Sequence, residues 1–248
     1  MTDKNRRAVY ILPNLFTTAN IAAGFYSILR AYDGHFLSAA WIIILAVLFD
    51  NLDGKVARLT HTESQFGVEY DSLSDLISFG IAPSFLMYSF VLKDFGRLGI
   101  IAAFLFLLTG TLRLARFNIQ TNHKDSFIGL PIPGGAATVA SMVLISMHFN
   151  LNYEKYNYIF LIATYTLSFL MISTLKYKSL KDASTHKRIS IRTFALIILT
   201  LSLIIFKPYI FVPLISFSYA ILGPTESLYK IFKRNFRREG KKQGVEHE

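Results

Sequence analysis

The sequence predicts an all-α, polytopic integral membrane helix bundle of about eight transmembrane helices, with both termini cytoplasmic. Three observations predict it. The chain is 52% hydrophobic and 17% charged, against roughly 25% charged residues in soluble domains. Apolar stretches of about 18 to 25 residues recur along its whole length, enough for a helix to cross a bilayer. Finally, basic residues concentrate in alternate connections. A β-barrel is excluded, because its strands show a dyad pattern of about ten residues and these runs are far longer.

Residues 1–14 form a cytoplasmic or interfacial segment, basic at Lys4, Arg6 and Arg7. No secretory leader is expected, since no small-residue cleavage site follows the basic start. Spans are predicted at 15–30, 37–59, 67–92, 98–117, 132–149, 157–175, 190–206 and 208–223. The first and fifth are short or bounded by Gly and Pro, and only "FKPY" separates the last two, so six is the smaller count that the pattern allows. Residues 224–248 form a basic cytoplasmic tail.

The distribution of charge tests this arrangement. With both termini inside, the outside loops hold only Arg30, Lys93, Arg97, Lys155 and Lys207, five of the 26 Lys and Arg. The inside regions hold Lys55, Arg58, Arg113, Arg116, Lys124, the run "KYKSLKDASTHKR" and the tail. This asymmetry accounts for the net charge of +10 through anionic headgroups, with no nucleic-acid partner. The absence of cysteine excludes disulfides and thiolate chemistry.

Between spans two and three lies "FDNLDGKVARLTHTESQFGVEYDSLSD". Asp50 and Asp53 are three apart and Asp71 and Asp75 four apart, so each pair shares a helix face. Helices joined by a short turn are antiparallel neighbours, and the two acidic faces can converge. Carboxylates in apolar surroundings each cost several kcal/mol unless something positive joins them. Oxygen-only ligands select a hard divalent cation, Mg2+, Mn2+ or Ca2+, over zinc. The plainer alternative is that the aspartates cap helices or pair with Lys55 and Arg58. Gly54 and Gly67 let a partner approach the backbone, and a nucleotide or diphosphate suits two hard metals beside Arg58. Ala57 and Gly80 read equally well as small residues at a helix contact.

The string Asp50-x2-Asp53-Gly54-x2-Ala57-Arg58-x8-Gly67-x3-Asp71-x3-Asp75 resembles, without departure, the signature of the CDP-alcohol phosphatidyltransferases, membrane enzymes of phospholipid synthesis. The flanking "LPNLFTTANIAAGF", "RLARFN" and "GLPIPGGAA" resemble the integral-membrane branch of that family that makes phosphatidylserine. The resemblance implies a transmembrane catalytic domain over 15–223 with its motif at 50–75. It implies that Asp50, Asp53, Asp71 and Asp75 hold Mg2+ or Mn2+, two ions per site, and that Asp75 is the general base. It implies that Gly54, Ala57, Arg58 and Gly67 line the cytidine nucleotide site. CDP-diacylglycerol and L-serine would be the substrates and CMP a product, in a homodimer among membrane lipids whose cavity opens to the cytoplasm.

A serine zwitterion needs donors for its carboxylate and an acceptor for its ammonium. Arg113, Arg116 and Asn118, at the inner end of the fourth span, are the candidates, for serine or for phosphate; ordinary cytoplasmic-end arginines would instead snorkel to headgroups. Ser74 and Ser78 are the fallback donors. Pro131 and Pro133 in "GLPIPGG" are expected to break a helix and shape the cavity wall. The signature reads the shared CDP half, so phosphatidylglycerophosphate, inositol-phosphate and archaetidylserine synthases are the alternative activities. A transporter would instead place its charges near mid-membrane and often show paired repeats.

The charge asymmetry makes a direct prediction: cysteines introduced at Thr2 and Gln243 should resist an impermeant thiol reagent in intact cells and label after permeabilisation. Labelling from outside would invert the arrangement.

Overall fold

The computed structural model describes residues 3–60, 64–119, 126–151, 155–178, 199 and 202–243, with side chains described at 14–52, 54, 64–119, 128–151, 155–175, 177, 199 and 202–225. Helix α1 (Asp3–Tyr32) and helix α2 (Phe36–Thr60) form an antiparallel pair. Gly34, with φ of +79°, ends α1 in the left-handed conformation that caps helices. His35 N–H then turns back to Arg30 O at 2.8 Å. In lipid, helices gain no hydrophobic advantage from meeting, so close packing and interhelical hydrogen bonds hold them. Accordingly Ala23, Ser27 and Ala31 of α1 and Ala39, Ala40 and Ala46 of α2 are all buried, and Ser27 Oγ donates to Ala39 O at 2.9 Å.

Helix α3 (Gln65–Asp75) starts at Ser64, whose hydroxyl caps Gly67 N–H at 3.0 Å. It runs through a π-helical turn (Leu76–Ile81) into α4 (Ala82–Phe90). The widened turn directly precedes Pro83, which has no N–H to continue the ladder; Ala82 N–H bonds Ile77 O, five residues back. Such π-turns are frequent at functional sites, and this one begins immediately after Asp75. Helix α1 packs along this segment. Ser74 Oγ donates to Thr17 O at 3.2 Å and Ser78 Oγ to Asn20 O at 2.8 Å. A Cβ on Gly24 would lie 2.7 Å from Ser78 Cα, so only glycine permits this approach.

A 3-10 turn (Leu92–Phe95) leads into α5 (Arg97–Ile119). "GLPIPGG" breaks the chain as expected: Gly129 adopts φ of +80°, Pro131 stands at the N-cap, and α6 (Ile132–His148) starts with Pro133 in its first turn. Helix α7 (Asn157–Ile172) ends before the expected 175, because the chain turns there into a small antiparallel ladder. Strand β1 (Ser126–Ile128) pairs with β2 (Lys176–Lys178), Phe127 opposite Tyr177. A pair of three-residue strands carries too little alternation to be read from sequence. Residues 202–206 are helical, and most of the expected seventh span lies outside the described residues. Helix α8 (Pro208–Gln243) runs on past 223 into the expected tail, with Pro213 and Pro224 inside it.

Tyr177 joins the ladder to α8, donating its hydroxyl to Ala220 O at 3.1 Å. Burial, then neighbouring Tyr219, pushes its phenol up to about 12, so the donated proton is kept at neutral pH.

Among the described residues, three helices are long and apolar enough to cross a membrane: Gln65–Phe90, Arg97–Ile119 and Pro208–Thr225. Phe36–Leu52, Ile132–His148 and Asn157–Ile172 are shorter apolar helices. The chain is therefore an all-α polytopic membrane bundle with at least three long spans. One end carries the close of α2, the start of α3, the end of α5 and the β ladder. The opposite end carries aromatic contacts, with Phe95 against Tyr158 at 5.2 Å and Tyr209 between Trp41 (5.3 Å) and His148 (4.0 Å). Aromatics of this kind favour the membrane–water interface.

The α1 contact yields a prediction. Gly24→Val should overpack the seam by about 1–3 kcal/mol, lower the apparent Tm in detergent by several degrees and reduce activity. Ala22→Val, at an exposed position, should do neither.

Candidate active site

Three elements deliver the site. Helix α2 brings Asp50 from its second half, α3 brings Asp71 and, at its last residue, Asp75, and α5 brings Arg113. One carboxylate oxygen from each of Asp50, Asp71 and Asp75 lies within 4.8 Å of the others. All three residues are half-buried, and Asp75 Oδ1 is buried without a hydrogen-bond partner among the described residues. An orphaned carboxylate oxygen facing two further carboxylates needs a cation to complete it. Three hard oxygen donors, with no histidine among the described residues of the cluster and no cysteine in the chain, fit Mg2+ or Mn2+. The cluster could therefore coordinate a divalent metal.

Arg113 is buried, at 7% exposure, and stands within electrostatic reach of Asp75, then Tyr219, then Asp50. It also lies 5.7 Å from the Phe117 ring centroid. The structure thus places a guanidinium against the cluster, where it offsets part of the negative charge.

Arg116 does not join it. Three residues on from Arg113, Arg116 is half-exposed and points Nη1 at Ile172 O, 3.5 Å away at the end of α7. Three residues turn a helix by about 300°, leaving the two side chains about 60° apart, enough to send them to different neighbours. Asn118 donates Nδ2 to Ser72 Oγ at 3.0 Å, which ties α5 to α3 beside Asp71. Ser74 and Ser78 give their protons to α1 carbonyls. Their hydroxyls hold helices together, which corrects their reading as fallback donors for an acceptor.

Gly54 and Gly67 are half-buried. A Cβ on Gly67 would stand 3.2 Å from Ser64 Oγ and 3.9 Å from Asn14 Oδ1, so this glycine lies where α1 meets the start of α3. The side chains of Asp53, Ala57 and Arg58 lie outside the described residues; their backbone belongs to α2. Gly80 faces Leu107, Leu76 and Ile132, which makes it a packing position.

Tyr219 is a site residue that the sequence did not disclose. From α8 it lies within electrostatic range of Arg113 and packs on Gly134, where a Cβ would stand 2.9 Å from its ring. One tyrosine among 13, in an apolar helix distant in sequence, carries no signal of its own.

The fold and this cluster define the class: an integral membrane protein with an acidic, cation-type centre at one end of its bundle. Residues 10–170 match the CDP-alcohol phosphatidyltransferase family, and the chain belongs to that family of phosphatidyltransferase enzymes. Similar proteins include a CDP-diacylglycerol–serine O-phosphatidyltransferase of Helicobacter pylori, 38% identical over 232 residues, 93% of this chain and 96% of that one. An archaetidylserine synthase of Methanothermobacter thermautotrophicus is 41% identical over 179 residues, 71% of this chain and 73% of that one. A CDP-diacylglycerol–serine O-phosphatidyltransferase of Bacillus subtilis is 36% identical over 171 residues, 68% and 91% of the two chains.

The cluster predicts that EDTA abolishes turnover and that Mn2+ or Mg2+ restores it. Asp50→Asn and Asp71→Asn should lose roughly a hundredfold or more in metal-supported rate, together with the rise in apparent Tm that the metal induces in the wild type. Full activity after exhaustive chelation would refute the metal centre.

Proposed function

We propose that the chain transfers the phosphatidyl group of CDP-diacylglycerol to the hydroxyl of L-serine, giving phosphatidylserine and CMP. The observation that carries this reading is the Asp50, Asp71 and Asp75 cluster beside buried Arg113 in a chain of this family. The acceptor is supported by relatives whose names specify serine, one of them matched over 93% of this chain.

Asp50, Asp53, Asp71 and Asp75 would hold two divalent cations, Mg2+ or Mn2+, which supply when bound the positive charge that neutralises a diphosphate and its leaving group. The segment from Gly54 through Ala57 and Arg58 to Gly67 receives the cytidine nucleotide. The acyl chains stay in the membrane. A 440 Å3 apolar groove between α2, α6 and α8, lined by Leu45, Leu48, Pro133, Val212 and Tyr219 among others, supports that placement. It ends at Tyr219, within reach of Arg113.

Asp75 acts as general base on the serine hydroxyl, a poor nucleophile at its ordinary pKa. The serine Oγ–H proton passes to Asp75, the Oγ–P bond forms, and the P–O bond to CMP breaks. Holding serine against the phosphate contributes much of the acceleration by proximity. Arg113 holds the serine carboxylate or the phosphate; Arg116 and Asn118 stand at the rim. The orientation is read from the basic residues: eight spans, both termini and the site on the cytoplasmic side, 1–14 and 224–248 flanking the catalytic domain. A homodimer is expected on the family resemblance. The 41% identity to an archaetidylserine synthase favours a second reading of the lipid half alone, with an archaeal CDP-lipid as donor.

The test offers purified protein CDP-diacylglycerol or its archaeal counterpart with serine, glycerol 3-phosphate or inositol phosphate, and measures CMP release. Serine should be the acceptor used. Arg113→Gln should lower kcat/KM for serine about tenfold to a hundredfold, the scale of a charge-assisted hydrogen bond, while Arg116→Gln changes it little. Transfer to another alcohol in preference to serine would overturn the assignment.

A further inference from the structure

Asn20 of α1 is wholly buried, at 0% exposure. Neither its Nδ2 nor its Oδ1 has a hydrogen-bond partner among the described residues. Leaving both halves of a buried carboxamide unmatched is costly, and each such group in a folded protein calls for an explanation. The neighbouring Thr17, Gly24 and Ser27 lie on the same buried stripe of α1 and are accounted for by helix contacts. Asn20 contributes only its backbone carbonyl to packing, accepting from Ser78 Oγ at 2.8 Å.

Two independent contacts fix the level of this residue in the bundle. The Ser78 bond sets Asn20 beside a residue three positions beyond Asp75, and so about one helical turn from it. From the Ser27–Ala39 contact, equal advance along the antiparallel pair carries Asn20 to the level of Ala46, four residues and about one turn from Asp50. Ala46 is buried and has no polar side-chain atom. Asn20 therefore lies one turn beneath the carboxylate cluster on the α1 side, whereas Arg113 approaches Asp75 from α5.

We propose that the Asn20 carboxamide binds the amino-acid head of the acceptor, with Oδ1 accepting from the ammonium and Nδ2 donating to the carboxylate. The proposal rests on the serine-transfer reading above and deepens it. A primary amide carries donor and acceptor side by side without net charge, which matches an ammonium and a carboxylate on one carbon. Arg113 can answer only the anionic half of that ligand, and the carboxylates only the cationic half. Glycerol phosphate and inositol phosphate have no ammonium to offer Oδ1, so Asn20 would also discriminate among acceptors.

The experiment uses the full-length protein with CDP-diacylglycerol and Mn2+, comparing wild type with Asn20→Leu, of similar volume. Serine is varied against two analogues, ethanolamine without the carboxylate and 3-hydroxypropionate without the ammonium. The serine KM should rise about tenfold to a hundredfold with the CDP-diacylglycerol KM within about twofold. The preference for serine over each analogue should fall too, by a smaller factor, because each analogue itself loses one of the two bonds. A purely architectural Asn20 would lower Tm or kcat for every acceptor and leave that preference unchanged, which would overturn the proposal. If Asn20→Leu does not fold, Asn20→Ala decides by the same ratio. Wild-type protein unable to use serine would remove the function reading and this one together. Serine transfer with an unaltered ratio in the variant would remove only this one.

Discussion

Mutual repulsion among Asp50, Asp71 and Asp75 is the constraint around which the bundle is organised. Carboxylate oxygens gathered within 4.8 Å oppose one another by about 3 to 4 kcal/mol per ionised pair at an effective dielectric of about 20. As ionised groups the side chains do not draw one another together. They converge because helix packing elsewhere is strong enough to impose the arrangement, and because Arg113 offsets part of a charge that a divalent cation could balance further. A membrane helix contact gains little from hydrophobic burial, so the imposition comes from close approach: the alanine seam between α1 and α2, and the contact of Gly24 with the π-turn.

That π-turn links architecture to chemistry. It starts where Asp75 ends α3 and stops before Pro83, whose missing N–H a regular helix would have to accommodate. The local loss of regularity is compensated by Ser74 and Ser78, which donate to the carbonyls of α1. Two hydroxyls thus fix the rotation of the helix bearing two of the clustered aspartates. Asn118 does the same from the other side through Ser72, next to Asp71. The polar residues around the centre divide into those that hold helices in register and those whose polar atoms face the reacting groups.

The C-terminal part of the chain enters the site by a longer route. Tyr177 in the β ladder grips α8 through Ala220 and the bare backbone of Gly223, and α8 thereby presents Tyr219 to Arg113. A residue more than a hundred positions from Arg113 comes within its electrostatic range because the ladder and α6, through Gly134 and Thr138, together hold the last helix there.

Much of this protein was legible in the sequence. Apolar run length reveals membrane helices because the bilayer demands both a minimum span and an internally satisfied backbone. The pairing of Asp71 with Asp75 was legible because helical periodicity places residues four apart on one face whatever surrounds them. Tertiary structure alone decided what depends on which faces meet. It turned Arg113 inward and Arg116 away, gave Ser74 and Ser78 to α1, continued α8 past residue 223, and left the carboxamide of Asn20 buried beneath the cluster. Spacing specifies an angle about a helix axis, but a side chain's partner depends on what stands at that angle, and that is set by contacts among helices distant in the chain.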